Sequence, residues 1–251
     1  MTILRPLLIF IIIIVAWQVL VILSGVQPFI LPSPAKVATA LMDRGDVIAW
    51  HAWITLGEIL LGLILGTILG TASALAMGYF RTARQWLLPV MVVSQALPVF
   101  ALAPILVLWL GYGIGSKVAM ATLIIYFPVT AAFFDGLRRT ELGYLDMART
   151  MGASRWAILR QIRIPAALPS FASGLRVATA VAPIGAIVGE WVGSSGGLGY
   201  LMLHANGRMQ IDVRFASLFV LAVIAVGMYF AVDALLKRLL HWQPDTQPSN
   251  D

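Results

Sequence analysis

Apolar residues run along this chain in long unbroken stretches, without the alternation of strands or the one-sided stripes of soluble helices. Six stretches stand out, at about residues 6–23, 53–78, 86–110, 117–134, 171–190 and 215–236. A bilayer core takes about 20 apolar residues per helical crossing, so each stretch is long enough to span one. The predicted fold is an all-α membrane protein with about six transmembrane helices. The first stretch holds Ile11-Ile12-Ile13-Ile14 and leads into Gly25-Val26-Gln27-Pro28. It is longer than the roughly 7–15-residue apolar region of a cleaved leader, so an uncleaved span is expected.

Composition agrees, with 60% hydrophobic and 11% charged residues, against about 25% charged in soluble domains. The net charge of +6 resides mostly in the intervals between apolar stretches. With the N-terminus inside, one side carries Arg5, Arg81, Arg84, Arg138, Arg139, Arg149, Arg155, Arg160, Arg163, Lys237 and Arg238. The other carries Lys36, Arg44, Lys117, Arg208 and Arg214. Eleven against five predicts that both termini are cytoplasmic. A nucleic-acid partner is not expected, because its basic groove would have to leave the membrane. The absence of cysteine excludes disulfides, thiolate metal sites and cysteine nucleophiles. The polar, proline-containing tail at 243–251 is predicted to be disordered.

The interval 135–168 is too apolar in places to be a mere linker. Tyr144, Met147, Ala148 and Met151 recur at helical spacing, with Asp146, Arg149 and Thr150 on the opposite face. Gly152 breaks this helix, and Ile164-Pro165 is expected to end the segment after it. A short amphipathic helix of this kind seats in a groove on a partner. The alternative is a helix lying on the membrane, with Arg149 and Arg155 near lipid phosphates. The chain has no Gly-x-x-x-x-Gly-Lys-Ser/Thr loop, so any ATP hydrolysis that drives it must occur on another polypeptide.

Asp146-Met147-Ala148, then Gly152 after three residues and Ile162, Ile164 and Pro165 after nine more, resembles the Glu-Ala-Ala loop of ATP-binding-cassette importer permeases. Asp, Met and Ile stand here for that pattern's Glu, Ala and Leu. Leu31-Pro32-Ser33-Pro34 and Gly196-Gly197-Leu198-Gly199 are similar to the nitrate, sulfonate and taurine branch. Val188-Gly189-Glu190-Trp191-Val192-Gly193 through Leu201 most resembles permeases for thiamine pyrimidine precursors. The resemblance implies a type I importer architecture, working by alternating access in the bacterial cytoplasmic (inner) membrane. It implies a second copy of the chain, an extracytoplasmic solute-binding protein, and ATPase subunits that carry the ATP and magnesium. Those subunits would dock at Tyr144, Asp146, Met147, Ala148, Met151, Gly152 and Ala153. The implied substrate is a hydroxymethylpyrimidine-type precursor, with sulfonate, taurine, nitrate or riboflavin-type import as alternatives. No cofactor, catalytic residue or metal ligand is assigned to this chain, which is not itself an enzyme.

Ionisable groups within spans cost about 2.5–3.5 kcal/mol at a helix centre, so they face protein or a wet cavity. Four are present. Asp233 and Lys237 are one turn apart and expected to pair, Arg176 is expected to snorkel inward, and Glu58 lies near the outer end of the second span. Glu190 either lines the substrate path or sits hydrated at the outer surface. Gly62, Gly66, Gly70, Ala74 and Gly78 recur every four residues, in register with Glu58, and predict close helix packing. Pro98, Pro104 and Pro183 deprive the carbonyls of Ser94, Phe100 and Thr179 of their helical donors. That makes the third and fifth spans the predicted pathway wall, with Ser94, Gln95, Thr179, Glu190 and Trp191 as contacts; kinks for packing alone are the alternative. Two rival functions remain. An intramembrane serine protease at Gly193-Ser194-Ser195-Gly196 needs a histidine in reach, and His51, His204 and His241 are expected in loops or at span ends. An ion-coupled secondary transporter would show an inverted repeat and acids near mid-bilayer, neither of which is evident.

Overall fold

The computed structural model describes residues 4–242, with side chains from Leu8 onward; the tail predicted to be disordered lies outside them. All regular structure among these residues is helical. In order the helices are α1 (Leu4–Ser24), α2 (Pro34–Asp43), α3 (Gly45–Tyr79), α4 (Arg81–Ala96), α5 (Val99–Leu110), α6 (Ile114–Arg138), α7 (Leu142–Thr150) and α8 (Arg155–Ile158). A π-helical turn at Leu159–Arg163 leads into α9 (Ile164–Gly193), followed by α10 (Leu198–Gly207) and α11 (Ile211–Leu239).

Of the six expected spans, α3, α6, the run from Arg155 to Gly193, and α11 are long and apolar enough to cross a membrane as single helices. The third is not one helix. Leu97, held extended by the proline that follows it, breaks the stretch into α4 and α5, which meet at 105°. The first span is the apolar helix α1, shorter than the others over its described side chains and laid against α11 through Phe10–Phe219 and Trp17–Phe215 ring contacts. The fifth extends further than expected. Pro165 does not end a segment, because the wider π turn before it absorbs the missing N–H donor and the helix runs on for 39 residues.

The core is a three-helix seam with α6 between α3 and α9. On α3, Gly62, Gly66, Gly70 and Ala74 are buried, and α6 lies directly on them. A Cβ on Gly66 would sit 2.6 Å from Ile125 Cγ2, and one on Gly62 would overlap Ala121. From the other side α9 presents Gly174 to Pro128 and Ala132, and Gly185 to the backbone of Ala121, whose Cα would lie 2.6 Å from a Cβ added there. Small residues let backbones approach where lipid offers no hydrophobic gain for helix contact. Ile59, Ile125, Val129, Ala178, Ala182 and Ala186 fill the space between.

Polar ties fasten the seam. At the α7 end, Arg163 donates to the carbonyl of Leu137 at 3.0 and 2.8 Å and to that of Gly78 at 3.0 Å, satisfying the C-terminal turns of α6 and α3 together. Arg176 does not snorkel: its Nε donates to Asp233 Oδ1 at 2.7 Å, tying α9 to α11, while Lys237 takes the other oxygen at 2.9 Å.

Replacing Gly66 by leucine should destabilise the protein by at least about 1–3 kcal/mol, since the seam has no room to yield. Gly57→Leu, where a Cβ meets nothing within 4 Å, should be tolerated; thermal unfolding in detergent distinguishes them.

Candidate functional site

The predicted docking helix exists as α7, and its ending is well determined. Gly152 adopts φ +76°, a left-handed conformation suited to glycine, and closes a Schellman motif. Its N–H donates to Arg149 O at 2.9 Å and that of Ala153 donates to Ala148 O at 2.9 Å. Ser154 then caps α8 by accepting from Ala157 N at 3.2 Å. The chain thus reverses sharply between two short helices. Tyr144, Met147 and Met151 form an exposed apolar face, Met151 at 80% exposure. Ala148, expected on that face, turns inward at 6%, because one residue of offset rotates it toward the body. Asp146 and Arg149 pair at 2.9 Å within the helix.

The far end of the bundle holds a buried polar cluster. Glu190 is 1% exposed and lies neither on an open wall nor in a hydrated surface position. It clamps the turn after α9: it accepts from Thr55 Oγ1 at 2.6 Å, from the N–H of Gly199 and from that of Tyr200. Thr55 Oγ1 in turn accepts from Leu198 N at 2.7 Å, and His51 Nδ1 accepts from Gly197 N at 3.0 Å. Gly197 has φ +105°, and any Cβ there would run into the Glu190 carboxylate. The Gly196-Gly197-Leu198-Gly199 sequence therefore describes a tight turn folded over a buried acid. Beside it Glu58 pairs with Lys117 at 3.4 Å, both within 7% exposure. Lys117, counted among the outer-side charges at the start of the fourth stretch, is buried, with Gly189 of α9 packed against its backbone.

The same contacts dispose of protease chemistry. His51 lies inside α3, not at a span end, yet its ring nitrogen faces the Gly197 amide. Ser195, the serine of that pattern, is exposed and makes no hydrogen bond to a histidine among the described residues, and the neighbouring Ser194 hydroxyl donates to the Gly196 carbonyl. Nucleophile and base do not meet.

The predicted pathway residues separate. Ser94 and Gln95 lie at the end of α4 beside the break; Gln95 is exposed, while Ser94 is half-buried and donates to Met91 O at 2.7 Å. Thr179 is fully buried and donates to Leu175 O at 2.8 Å, satisfying a helical carbonyl within the core. The exposed stripe of α9 is instead Ser173, Val177, Ala180, Ile184 and Trp191. Trp191 stands 6.2 Å from Phe100 of α5 across an apolar crevice of about 200 Å³. Thr55 carried no sequence signal as a site residue, and the Phe100 ring and the His51 contact to Gly197 had none either, since nothing local distinguishes these side chains from packing residues.

Residues 59–242 match the family of binding-protein-dependent transport system inner membrane components. The chain belongs to that family. It is 52% identical over 237 residues to a probable ABC transporter permease protein of Haemophilus influenzae, covering 94% of this chain and 97% of that one. It is 37% identical over 241 residues to the formylaminopyrimidine transport permease protein ThiX of Halalkalibacterium halodurans, covering 96% of each. The fold is that of a crystallised methionine ABC transporter, MetNI, in an inward-facing conformation. That match has a TM-score of 0.67 at 18% identity and covers 78% of this chain and 98% of that one. The chain is thus the permease subunit of an ABC importer with type I architecture, an inner-membrane protein whose ATPase activity resides on a separate subunit.

Lys117→Met should cost about 3–5 kcal/mol by leaving Glu58 buried beside Glu190 with no cation against it. Adding Glu58→Gln should recover most of that loss, as a double-mutant cycle in chemical unfolding would read.

Proposed function

We propose that this permease imports a pyrimidine precursor of thiamine, working as a pair of identical chains with two ATPase subunits and an extracytoplasmic binding protein. The observation that carries the substrate is the ordering of relatives. The formylaminopyrimidine permease is 37% identical, against 28–30% for permeases named for sulfonates or taurine. The riboflavin transport permease RibX of Chloroflexus aurantiacus is also 37% identical and favours a second reading, flavin import, but it matches over 86% of its length rather than 96%. Both substrates are planar nitrogen heterocycles, and the Phe100–Trp191 crevice offers π-faces of matching chemistry.

The coupling surface in this reading is the exposed face Tyr144, Met147 and Met151, with Asp146, Ala148, Gly152 and Ala153 shaping it. Both termini lie in the cytoplasm on the same side as α7, consistent with the bias of Lys and Arg toward that side. ATP and magnesium stay on the partner. The pathway runs between the two copies, past the α4–α5 break and the exposed stripe of α9.

Cells carrying the complete system should accumulate labelled formylaminopyrimidine or hydroxymethylpyrimidine, with unlabelled taurine in excess failing to compete. Competition by riboflavin and not by the pyrimidine would transfer the assignment to flavin import. For coupling, Met147→Glu with Gly152→Leu should abolish ATP-dependent uptake and copurification of the ATPase; retention of both would remove α7 as the docking site.

A further inference from the structure

A polar cavity of about 730 Å³ opens at the α7 end, behind the docking helix. Four guanidinium groups line it, those of Arg81, Arg149, Arg155 and Arg163, and no carboxylate does. Arg163 is engaged by helix carbonyls and Arg149 by Asp146, whereas Arg81 and Arg155 have no acidic partner among the described residues. A polar cavity lined by guanidinium groups matches the charge and hydrogen-bonding of a phosphate.

Its position narrows the source. Arg81 stands two residues past the end of α3, the 35-residue apolar helix, where the chain leaves the hydrocarbon layer. Tyr79, Phe80 and Trp156 stack edge to face at 4.7 and 6.0 Å beside it, and Trp86 is 75% exposed. Such aromatic groups mark the headgroup level of a bilayer. On α7 the cavity is lined by Leu145 and Arg149, which lie about 150° around the helix from the centre of the Tyr144, Met147 and Met151 face. An occupant therefore sits between α7 and the membrane body, leaving the outward face clear.

We propose that this cavity binds the phosphodiester headgroup of an anionic phospholipid, which props α7 from behind. The site is independent of the substrate assignment and of which side α7 faces. The test uses the full-length chain with its copurifying subunits, in nanodiscs of phosphatidylcholine mixed with phosphatidylglycerol, and native mass spectrometry of retained lipid. Wild type should retain phosphatidylglycerol preferentially, and Arg81→Gln with Arg155→Gln should reduce that preference by about thirtyfold. Arg81→Lys with Arg155→Lys, which keeps charge and packing, should lose less, and serves if the glutamine pair fails to fold. Equal retention of the two lipids by wild type, or an unchanged preference in both variants, would overturn the proposal. Stabilisation by inorganic phosphate in pure phosphatidylcholine nanodiscs, equal to that from phosphatidylglycerol, would also overturn it by making the ligand a free anion.

Discussion

Helices immersed in lipid gain little by hiding apolar surface from one another, so this fold depends on how closely three backbones approach. The seam of α3, α6 and α9 is built from positions where a side chain is missing, and its attraction is dispersion summed over close contacts. Such a surface has no directional chemistry to fix its register. Polar ties at the ends supply it: Glu58 and Lys117 join α3 to α6 at one end, and Arg163 holds the last carbonyls of both at the other. A one-turn slip of α3 along α6 would separate Glu58 from Lys117 and the Gly78 carbonyl from Arg163 together. Ionisable groups that are expensive individually thus specify an alignment that glycine contacts leave free.

A seam with no spare volume leaves adaptation to the periphery. Helix α4 buries little beyond Met91, and α5 little beyond Ala103 and Val107. Their outer surfaces carry large apolar side chains such as Trp86, Phe100, Leu108 and Trp109. Membership in a permease family accounts for two kinds of cover, lipid and neighbouring subunits. The break at Leu97–Pro98 sits among these exposed residues, where unpaired backbone polar groups are tolerated only against protein or water. That makes the elbow a poor lipid-facing element and a good boundary for the pathway proposed above.

Much of this was legible in the sequence, for reasons that separate cleanly. Segment lengths follow from hydropathy, and the Gly62 to Gly78 stripe follows from its four-residue period. The Gly152 stop follows from the left-handed turn that glycine permits. Local signals failed where a long-range partner decided the outcome. Nothing near Arg176 points to Asp233, fifty-seven residues away. Nothing near Lys117 distinguishes a loop charge from one folded inward against Glu58. Glu190 was recognisable as unusual, but its role in holding the following turn depends on Thr55 and His51 from another helix. Pro98 and Pro165 show the limit of a single-residue rule: one divides a span through 105°, and the other is absorbed by a π turn without a break.

The absorbed proline matters most for how the molecule can work. Because the helix continues from Arg155 to Gly193, one continuous helical run of about 58 Å at 1.5 Å per residue joins the loop after α7 to the Glu190 clamp. Gly174, Gly185 and Gly189 press that element onto α6, so it has little freedom to bend or rotate alone. In the coupling proposed for α7, a push there would be delivered to the whole α3–α6–α9 block and to the glycine turn beyond it. The elements left to move against this block are those bound to it lightly, α4 and α5 foremost. A chain that hydrolyses nothing can still convert a push at one end into a rearrangement along its exposed wall, provided its core refuses to deform.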